Sequence, residues 1–527
     1  MDTTSSEAER NYVLRGLDLF EKFGEDEAIV TEGVRHTYAD VRAGVCTLIR
    51  VLGEQGVRPG DAVAVLIGNP PEAVVLQFAL HALGCRSVWI APNAPERYRL
   101  DFMKMADVSA FVYDPRMLPR MGRTMAAEHP DATIMCLGPG GAGIDLLAEP
   151  WTWDEQAMVE LAARTDIPEP SSVFQTGGTT GRPKLVHHGH MFFRTLRLLS
   201  DYWVASGEHK LRHLASSGFW HVSGQMPAMM TLFSGGTLFL IPEFRAELVI
   251  AAIERYRITS TFLTPPIMYE ILDHPALPTT DTSSMQMLSV GGAAVAPSRM
   301  KQAIAHFGPV MRPVYGMSEA PFITALPKLG DDPGNPERIR SAGLPYGDIR
   351  ITIADEDGKP LVPGEVGEVW VNGALSMLGY WGQPELTGQT LVDGWVHTGD
   401  MGYLDDNGYL FLVDRIKDII ITGMASTNVY SRPIEDLLAG HPLVQAAAVI
   451  GVPDEAMGEA VHAYVVPVEG ASVSADELRA LVENTLNEVW APREIDFVDA
   501  LPRTDFGKVD KKALRSRYET DHTGGHF

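Results

Sequence analysis

The sequence predicts an α/β protein: a large N-terminal body of several subdomains with a small β-barrel-like part, then a small α+β C-terminal domain. Three observations carry this. At 527 residues the chain is longer than one hydrophobic core can organise. Apolar strand-like runs alternate with amphipathic helical ones through its first part, and short β-rich pieces replace them between about residues 350 and 412. The composition, 45% hydrophobic and 21% charged, is that of an ordinary folded protein.

Thr37 is placed to cap a helix in which Val41, Val45, Leu48 and Leu52 recur at helical spacing until Gly56 and Pro59 end it. Asp61 to Ile67 (DAVAVLI) reads as a strand, Pro71 to Leu83 as a helix and Ser87 to Ile90 as the next strand. Two strands joined by a helix run parallel, so a parallel sheet follows. The apolar stretch from Ala73 to Ala91 is broken by His81, Gly84 and Arg86, and reads as buried helix plus strand, with no membrane span. The same alternation returns over residues 236–270 as TLFLI, an amphipathic helix and STFL. RITIAD, GEVWVNG and YLFLVD, divided by Gly, Pro and Asp turns, make the β-rich part. Beyond Asp414, IEDLLAGHP reads as a helix, VQAAAVIGV and AVHAYVVPV as strands, and Ser474 with Glu477 as a capping box opening another helix. The expected units are therefore 1–413 and 414–527.

A formal charge of −25 argues against nucleic acid or an anionic membrane as partner, so any anionic ligand must be held by local cations. Cys46, Cys85 and Cys136 have no short spacing, as expected of reduced thiols in a cytoplasmic protein. The first residues, MDTTSSEAER, lack the basic and apolar pattern of a signal peptide.

The most informative segment is QTGGTTGRPK, Gln175 to Lys184, with three glycines and three threonines ahead of a lysine. Glycine lets backbone N–H groups approach an oxyanion, threonine adds hydroxyl donors, and Lys184 adds charge. A Walker loop needs Gly-Lys-Ser/Thr entering a helix, whereas Arg182 and Pro183 separate Gly181 from Lys184. A flexible surface linker is the plainer alternative, but the strand-like run Ser171-Ser172-Val173-Phe174 leading into the lysine loop argues for a nucleotide site.

Further motifs follow: YGMSE (Tyr315 to Glu319), GWVHTGD (Gly394 to Asp400), DRIKD (Asp414 to Asp418) and PRTDFGK (Pro502 to Lys508). In order and spacing these five segments resemble the core motifs of the adenylate-forming superfamily of acyl-CoA synthetases, peptide-synthetase adenylation domains and luciferases. The likeness covers about Thr37 to Lys512 and is nearest to the acyl-CoA synthetases. It implies an acid-thiol ligase that joins a carboxylic acid to ATP as an acyl-adenylate and then transfers the acyl group to coenzyme A. By this resemblance Thr176, Gly177, Gly178, Thr179, Thr180, Gly181 and Lys184 hold phosphate. Glu319 holds Mg²⁺, and Ser318 stands where threonine is usual. Tyr315, followed by Gly316, stacks on adenine opposite Gly291, Gly292, Ala293 and Ala294. Asp400 and Arg415 hold the ribose, and Lys508 bridges substrate carboxylate and α-phosphate. The resemblance also implies rotation of the C-terminal domain about Asp414, which brings the segment with Gly423 toward the site for the second step.

His221 resembles the histidine at the acyl-pocket mouth of acyl-CoA synthetases, where amino-acid-activating relatives carry aspartate. An α-ammonium group would find no counter-charge here, so a largely apolar acid without an amino group is expected. A core histidine beside Trp220 is the plainer reading, as a helix start is for His187, His188 and His190. The candidate pocket walls are Trp220, His221, Thr264-Pro265-Pro266 and Gly291 to Ala294.

The resemblance breaks after DRIKDIIITG. From Gly423 to Asn428 the chain is two residues longer than the usual pattern, and Ser431 replaces the proline that usually follows the tyrosine. One alternative is thus an enzyme suited to a single half-reaction, such as thioester formation from a preformed adenylate. Another is a stand-alone enzyme that loads a carrier protein, and luciferase-like oxidation is remote. A silent nucleotide-binding scaffold is disfavoured because Glu319 and Lys508 are both present. Which acid is bound is not legible, nor is oligomeric state, for which a homodimer is the default.

Overall fold

The structure is a computed structural model that describes residues 11–176, 184–205, 210–241, 243–293, 295, 297–327, 338, 340–422, 427–454, 457–504 and 508–522. Its N-terminal part is built on two large sheets. One has eight strands, in the order Gly379–Tyr380, Lys184–His188, Ser171–Thr176, Arg86–Trp89, Ala62–Leu66, Ala110–Tyr113, Thr133–Cys136 and Ile144–Asp145. From Ser171–Thr176 onward its strands are parallel, and the two before it add antiparallel. The other has nine strands, from Leu344–Pro345 through Ala320–Ala325, Met311–Met317, Met287–Val290, Ser260–Leu263, Arg212–Ala215, Thr237–Leu240 and Glu27–Thr31 to Val34–Thr37.

The elements form for the reasons read from the sequence. Thr37 caps the helix Tyr38–Glu54 and shares a reciprocal capping box with Asp40. Pro71 starts the helix Pro71–Ala82, where its missing N–H costs nothing. This helix is apolar on almost every side because it lies in the interior, and the rings of Phe20, Phe78 and Phe233 meet there at 5.6–6.1 Å. The three cysteines are free and buried. At Ser474 only half of the expected box forms: Ser474 Oγ accepts from Glu477 N–H, while the Glu477 carboxylate faces His441 at 3.4 Å.

The β-rich part is a five-stranded antiparallel sheet of Arg350–Ala354, Gly367–Asn372, Leu391–Val392, Trp395–Leu404 and Leu410–Arg415. Burial alternates along Trp395–Leu404, which turns Asp400 to the covered face. The last sheet centres on the hairpin Val444–Asp454 and Gly458–Pro467, with Ile420–Thr422, Thr427–Val429 and Glu494–Phe497 at its edges. Helices Ser431–Ala439 and Ala475–Thr485 cover one face, and Lys511–His522 covers the other through Leu514 and Tyr518. No helix among the described residues is long and apolar enough to cross a membrane.

Candidate active site

The glycine-rich segment lies between two paired strands. Ser171–Thr176 and Lys184–His188 form an antiparallel pair whose last register is Thr176 to Lys184. Gly177, Gly178, Thr179, Thr180 and Gly181 fall outside the described residues, as do Ala294 and Gly423. The paired strands nevertheless fix where the segment leaves the sheet and where Lys184 returns.

Three elements converge on Glu319. The hairpin between Met311–Met317 and Ala320–Ala325 carries it, and the residue is only 6% exposed. Tyr380 pairs in register with Val186, and its hydroxyl donates to Glu319 Oε1 at 2.6 Å. Lys184 Nζ stands 5.0 Å from the centre of the same tyrosine ring. Met377 N–H donates to the Glu319 carbonyl at 2.8 Å, and His188 Nε2–H donates to the Ser318 carbonyl at 2.8 Å. A buried carboxylate is costly unless a donor meets it, and the Tyr380 hydroxyl is that donor, while the two bonds to backbone carbonyls fix the turn that carries Glu319. Removing the phenol hydroxyl by Tyr380→Phe is expected to slow adenylation by about tenfold, read in single-turnover rates with the fold intact.

A second cluster forms where Trp395–Leu404 pairs with Leu410–Arg415 and sets Asp400 opposite Arg415. Arg415 Nε lies 2.9 Å from Asp400 Oδ1, and the Tyr315 hydroxyl donates to Asp400 Oδ2 at 2.6 Å. Asp400 chiefly, against a smaller cost of burial, holds the Arg415 guanidinium above its ordinary value. Burial first and Asp400 second push the Tyr315 phenol well up, so it stays a hydrogen-bond donor. Behind Tyr315, a Cβ at Gly291 would lie 2.7 Å from Val314 and one at Gly316 2.2 Å from the Pro321 carbonyl, so both positions need glycine for close backbone approach. Gly292 turns away with φ +87°.

Lys508 reaches this place from the C-terminal part. Its segment is held by a bridge between Arg503 and Val509 and by Thr504 N–H donating to the Lys508 carbonyl at 2.7 Å. The residue keeps solvent-accessible area, as a side chain in an open cleft does, yet protein encloses it on several sides. That enclosure lowers the ammonium's affinity for its proton, with Arg415 adding to the effect and Asp400 and Glu319 opposing it.

His221 caps the helix Val222–Phe233, its Nδ1 accepting from Ser223 N–H at 3.2 Å with the Ser223 hydroxyl 2.7 Å away. The ring proton is therefore on Nε2. Burial, then Lys508, lowers its pKa to about 4, so the imidazole is neutral at pH 7. His221 is thus a helix cap and also a wall of the cleft.

Thr176, Lys184, His221, Gly292, Ala293, Tyr315, Gly316, Ser318, Glu319, Asp400, Arg415 and Lys508 all line one continuous cleft of about 3710 Å³. It exceeds a typical ligand pocket of about 300–1,000 Å³ because it runs along the groove between the N-terminal body and the C-terminal part. Tyr380 and His188 carry no local sequence signal of a site role, since their contacts come from strand pairing that no local pattern reveals. The expected helix start at His187 to His190 is corrected to His190: His187 and His188 end a strand. Among the described residues no group of three His, Cys, Asp or Glu could hold a metal by itself.

Comparison with known proteins gives the same picture. Residues 19–381 match the AMP-binding enzyme family and residues 433–508 match the AMP-binding enzyme C-terminal domain. A medium/long-chain-fatty-acid–CoA ligase of Mycobacterium tuberculosis is 35% identical over 88% of this chain and 82% of its own length. A feruloyl-CoA synthase of Amycolatopsis is 34% identical over 92% of this chain and 94% of its own. The structure of the amide bond synthetase McbA from Marinactinospora thermotolerans superposes with a TM-score of 0.85 and 36% identity, over 96% of this chain and all of that one. With this match along nearly its whole length, and with its motifs gathered in one cleft, the chain belongs to the adenylate-forming AMP-binding enzymes, close to the acyl-CoA synthetases.

Proposed function

We propose that this enzyme activates a largely apolar carboxylic acid without an α-amino group, using ATP, and transfers the acyl group to coenzyme A. The observation that carries this reading is the placement of Lys508 in one cleft with Glu319, Asp400 and Arg415. In the first step a substrate carboxylate oxygen attacks the α-phosphorus and pyrophosphate leaves, so two anions must be brought together. Lys508 stands where its ammonium offsets that repulsion, while Thr176, Lys184 and the glycine-rich segment between them hold the phosphates. Asp400 and Arg415 hold the ribose, and Tyr315 presents its ring to the base.

The residues present fit Mg²⁺. Glu319 is one buried carboxylate with Tyr380 on a single oxygen, and this hard cation takes one or two carboxylates and completes its shell with phosphate oxygens and water. Bound there, it would neutralise phosphate charge. In the second step the thiol attacks the acyl carbon and AMP leaves. Lys508 must withdraw first, and the resemblance to the family supports a hinge for that movement at Asp414, between units 1–413 and 414–527.

The acid class rests on the walls of the cleft. Trp220, Phe262, Val290, Val314 and Met317 are apolar, and His221 is neutral, so nothing among them would pair with an ammonium group. The Trp220 indole lies close against Gly218, where a Cβ would sit 2.2 Å from the ring. Trp220→Ala is expected to raise KM for small acids several-fold and to admit bulkier ones, measured across a graded series of acids. The fatty-acid and feruloyl-CoA ligases among the relatives support an apolar or aromatic acid.

A second reading follows from the likeness to an amide bond synthetase: the adenylate passes to an amine. ATP–pyrophosphate exchange over a panel of acids tests activation. Supplying coenzyme A, simple amines or a phosphopantetheinylated carrier protein to the active acid then shows which acceptor consumes the adenylate. No exchange with any acid would defeat the proposal.

A further inference from the structure

Ser431 is the first residue of the helix Ser431–Ala439, and it is fully buried. Its backbone N–H donates to Asp414 Oδ2 and its hydroxyl lies 3.2 Å from Asp414 Oδ1. Asp414, the hinge residue itself, is still held in the β-rich sheet of the N-terminal part, in the strand Leu410–Arg415 opposite Met401, whereas the Ser431 helix packs on the C-terminal sheet. The contact therefore joins the two sides of the junction. From the other direction Lys511 Nζ donates to Ser431 Oγ at 2.6 Å and lies 2.8 Å from Glu435 Oε1, which also accepts from Val449 N–H at 2.8 Å. Lys511 opens the helix Lys511–His522 three residues after Lys508. One helical turn further on, Arg515 binds the buried Asp418 at 3.0 Å.

From this arrangement we infer that Asp414, Ser431, Lys511 and Glu435 form a latch that holds the C-terminal part in the orientation placing Lys508 in the cleft. Ser431 and Lys511 are its positioning residues. The inference rests on the two-step reading above and deepens it by naming what favours the first step. Rotation at Asp414 must break both Ser431 bonds to its carboxylate, and these are buried and charge-assisted, the stronger kind. A proline at this position would have neither the N–H nor the hydroxyl, so serine here is what makes the latch possible. The same bonds that favour adenylation delay the swing needed for acyl transfer.

The test substitutes Ser431→Pro and Ser431→Gly in the full chain. Proline is well accepted at the first position of a helix, and Tyr430 before it already has the extended backbone that proline requires (φ −91°, ψ 126°), so the variant should fold. Glycine keeps the N–H and loses only the hydroxyl. Two readouts are paired: both half-reactions, as pyrophosphate exchange and as transfer from a synthetic acyl-adenylate, and the distance distribution between one spin label on each side of Asp414. In Ser431→Pro, exchange is expected to fall on the order of tenfold while transfer stays within about twofold or rises, and the distribution should broaden. Ser431→Gly should lie between proline and wild type. An unchanged distribution, an unchanged exchange rate, or an equal fall in both half-reactions would overturn the latch. Absence of exchange in the wild type together with a broadened distribution in Ser431→Pro would instead uphold the latch and defeat the adenylation reading.

Discussion

Replacing Lys508 with alanine is expected to slow acyl-adenylate formation by about 10²- to 10³-fold, while transfer from a synthetic adenylate stays within a few-fold of wild type. The expected loss is roughly 3–4 kcal/mol of barrier, the size found when one preorganised donor is removed from a developing charge. Its origin lies in the charges around the cleft. The chain carries −25 overall, so the field of the whole protein opposes two anionic substrates, and local cations must overcome it. Arg415 is committed to Asp400 at 2.9 Å, and Lys184 stands on the Glu319 side over Tyr380. Lys508 enters from the other wall, where enclosure first, and Arg415 and Lys417 after it, lower its proton affinity. Phosphate and carboxylate oxygens would restore that affinity on binding, so the interaction grows as the anions approach. Lys508→Arg should recover only part of the rate, because a planar fork does not replace a compact ammonium between two oxygen groups. Equal losses in both half-reactions would show that Lys508 acts through the fold and not through the first step.

Much of this arrangement was legible in the sequence, and the limits have physical causes. Thr37 as a cap, Pro71 at its helix start, and the strand ahead of the glycine-rich segment are local signals, set within a few residues, and the structure forms each of them. Glu319, Asp400, Arg415 and Lys508 are far apart along the chain, yet their motifs named them, and they line one cleft. Tyr380 was missed because only its pairing with the strand Lys184–His188 aims its hydroxyl at Glu319. Tyr315 was read as a stacking ring alone, and its hydroxyl proves bonded to Asp400, a contact between separate sheets. Ser431 was noticed only as a departure from a pattern. Its partners, Asp414 on one side and Lys511 on the other, lie 17 and 80 residues away and could not be inferred from local spacing.

Lowering the pH from 7 to 5 is expected to destabilise the N-terminal body by about 5–6 kcal/mol through His81, His188 and His213, a little under about 2 kcal/mol from each. All three are buried, and burial is the first cause that lowers them, to about 3 for His81 and about 4 for the other two, from an ordinary 6.5. Below 6.5 the unfolded chain takes up protons that the folded protein refuses until near pH 4. Stability is thus fully present above 6.5 and is lost as the pH falls through that window. His81 is held neutral among Tyr12, Ser171, Ser172 and Ser87, with His81 Nε2 3.0 Å from the Ser171 carbonyl. His188 has one acceptor, the Ser318 carbonyl, and its Nδ1 is buried with no partner among the described residues, so a second ring proton would have nowhere to donate. His187 and His221 are lowered in the same sense but are partly exposed, and the half-exposed Asp436, raised to about 6 chiefly by burial, opposes them in part. Against a total stability of about 5–15 kcal/mol, this loss is large. Urea unfolding at constant ionic strength, followed by tryptophan fluorescence at pH 7 and pH 5, measures it. His188→Gln should lessen the dependence by up to about 1.4 kcal/mol per pH unit, one proton's worth. A midpoint unchanged between the two pH values would show that these histidines do not stay neutral inside the fold.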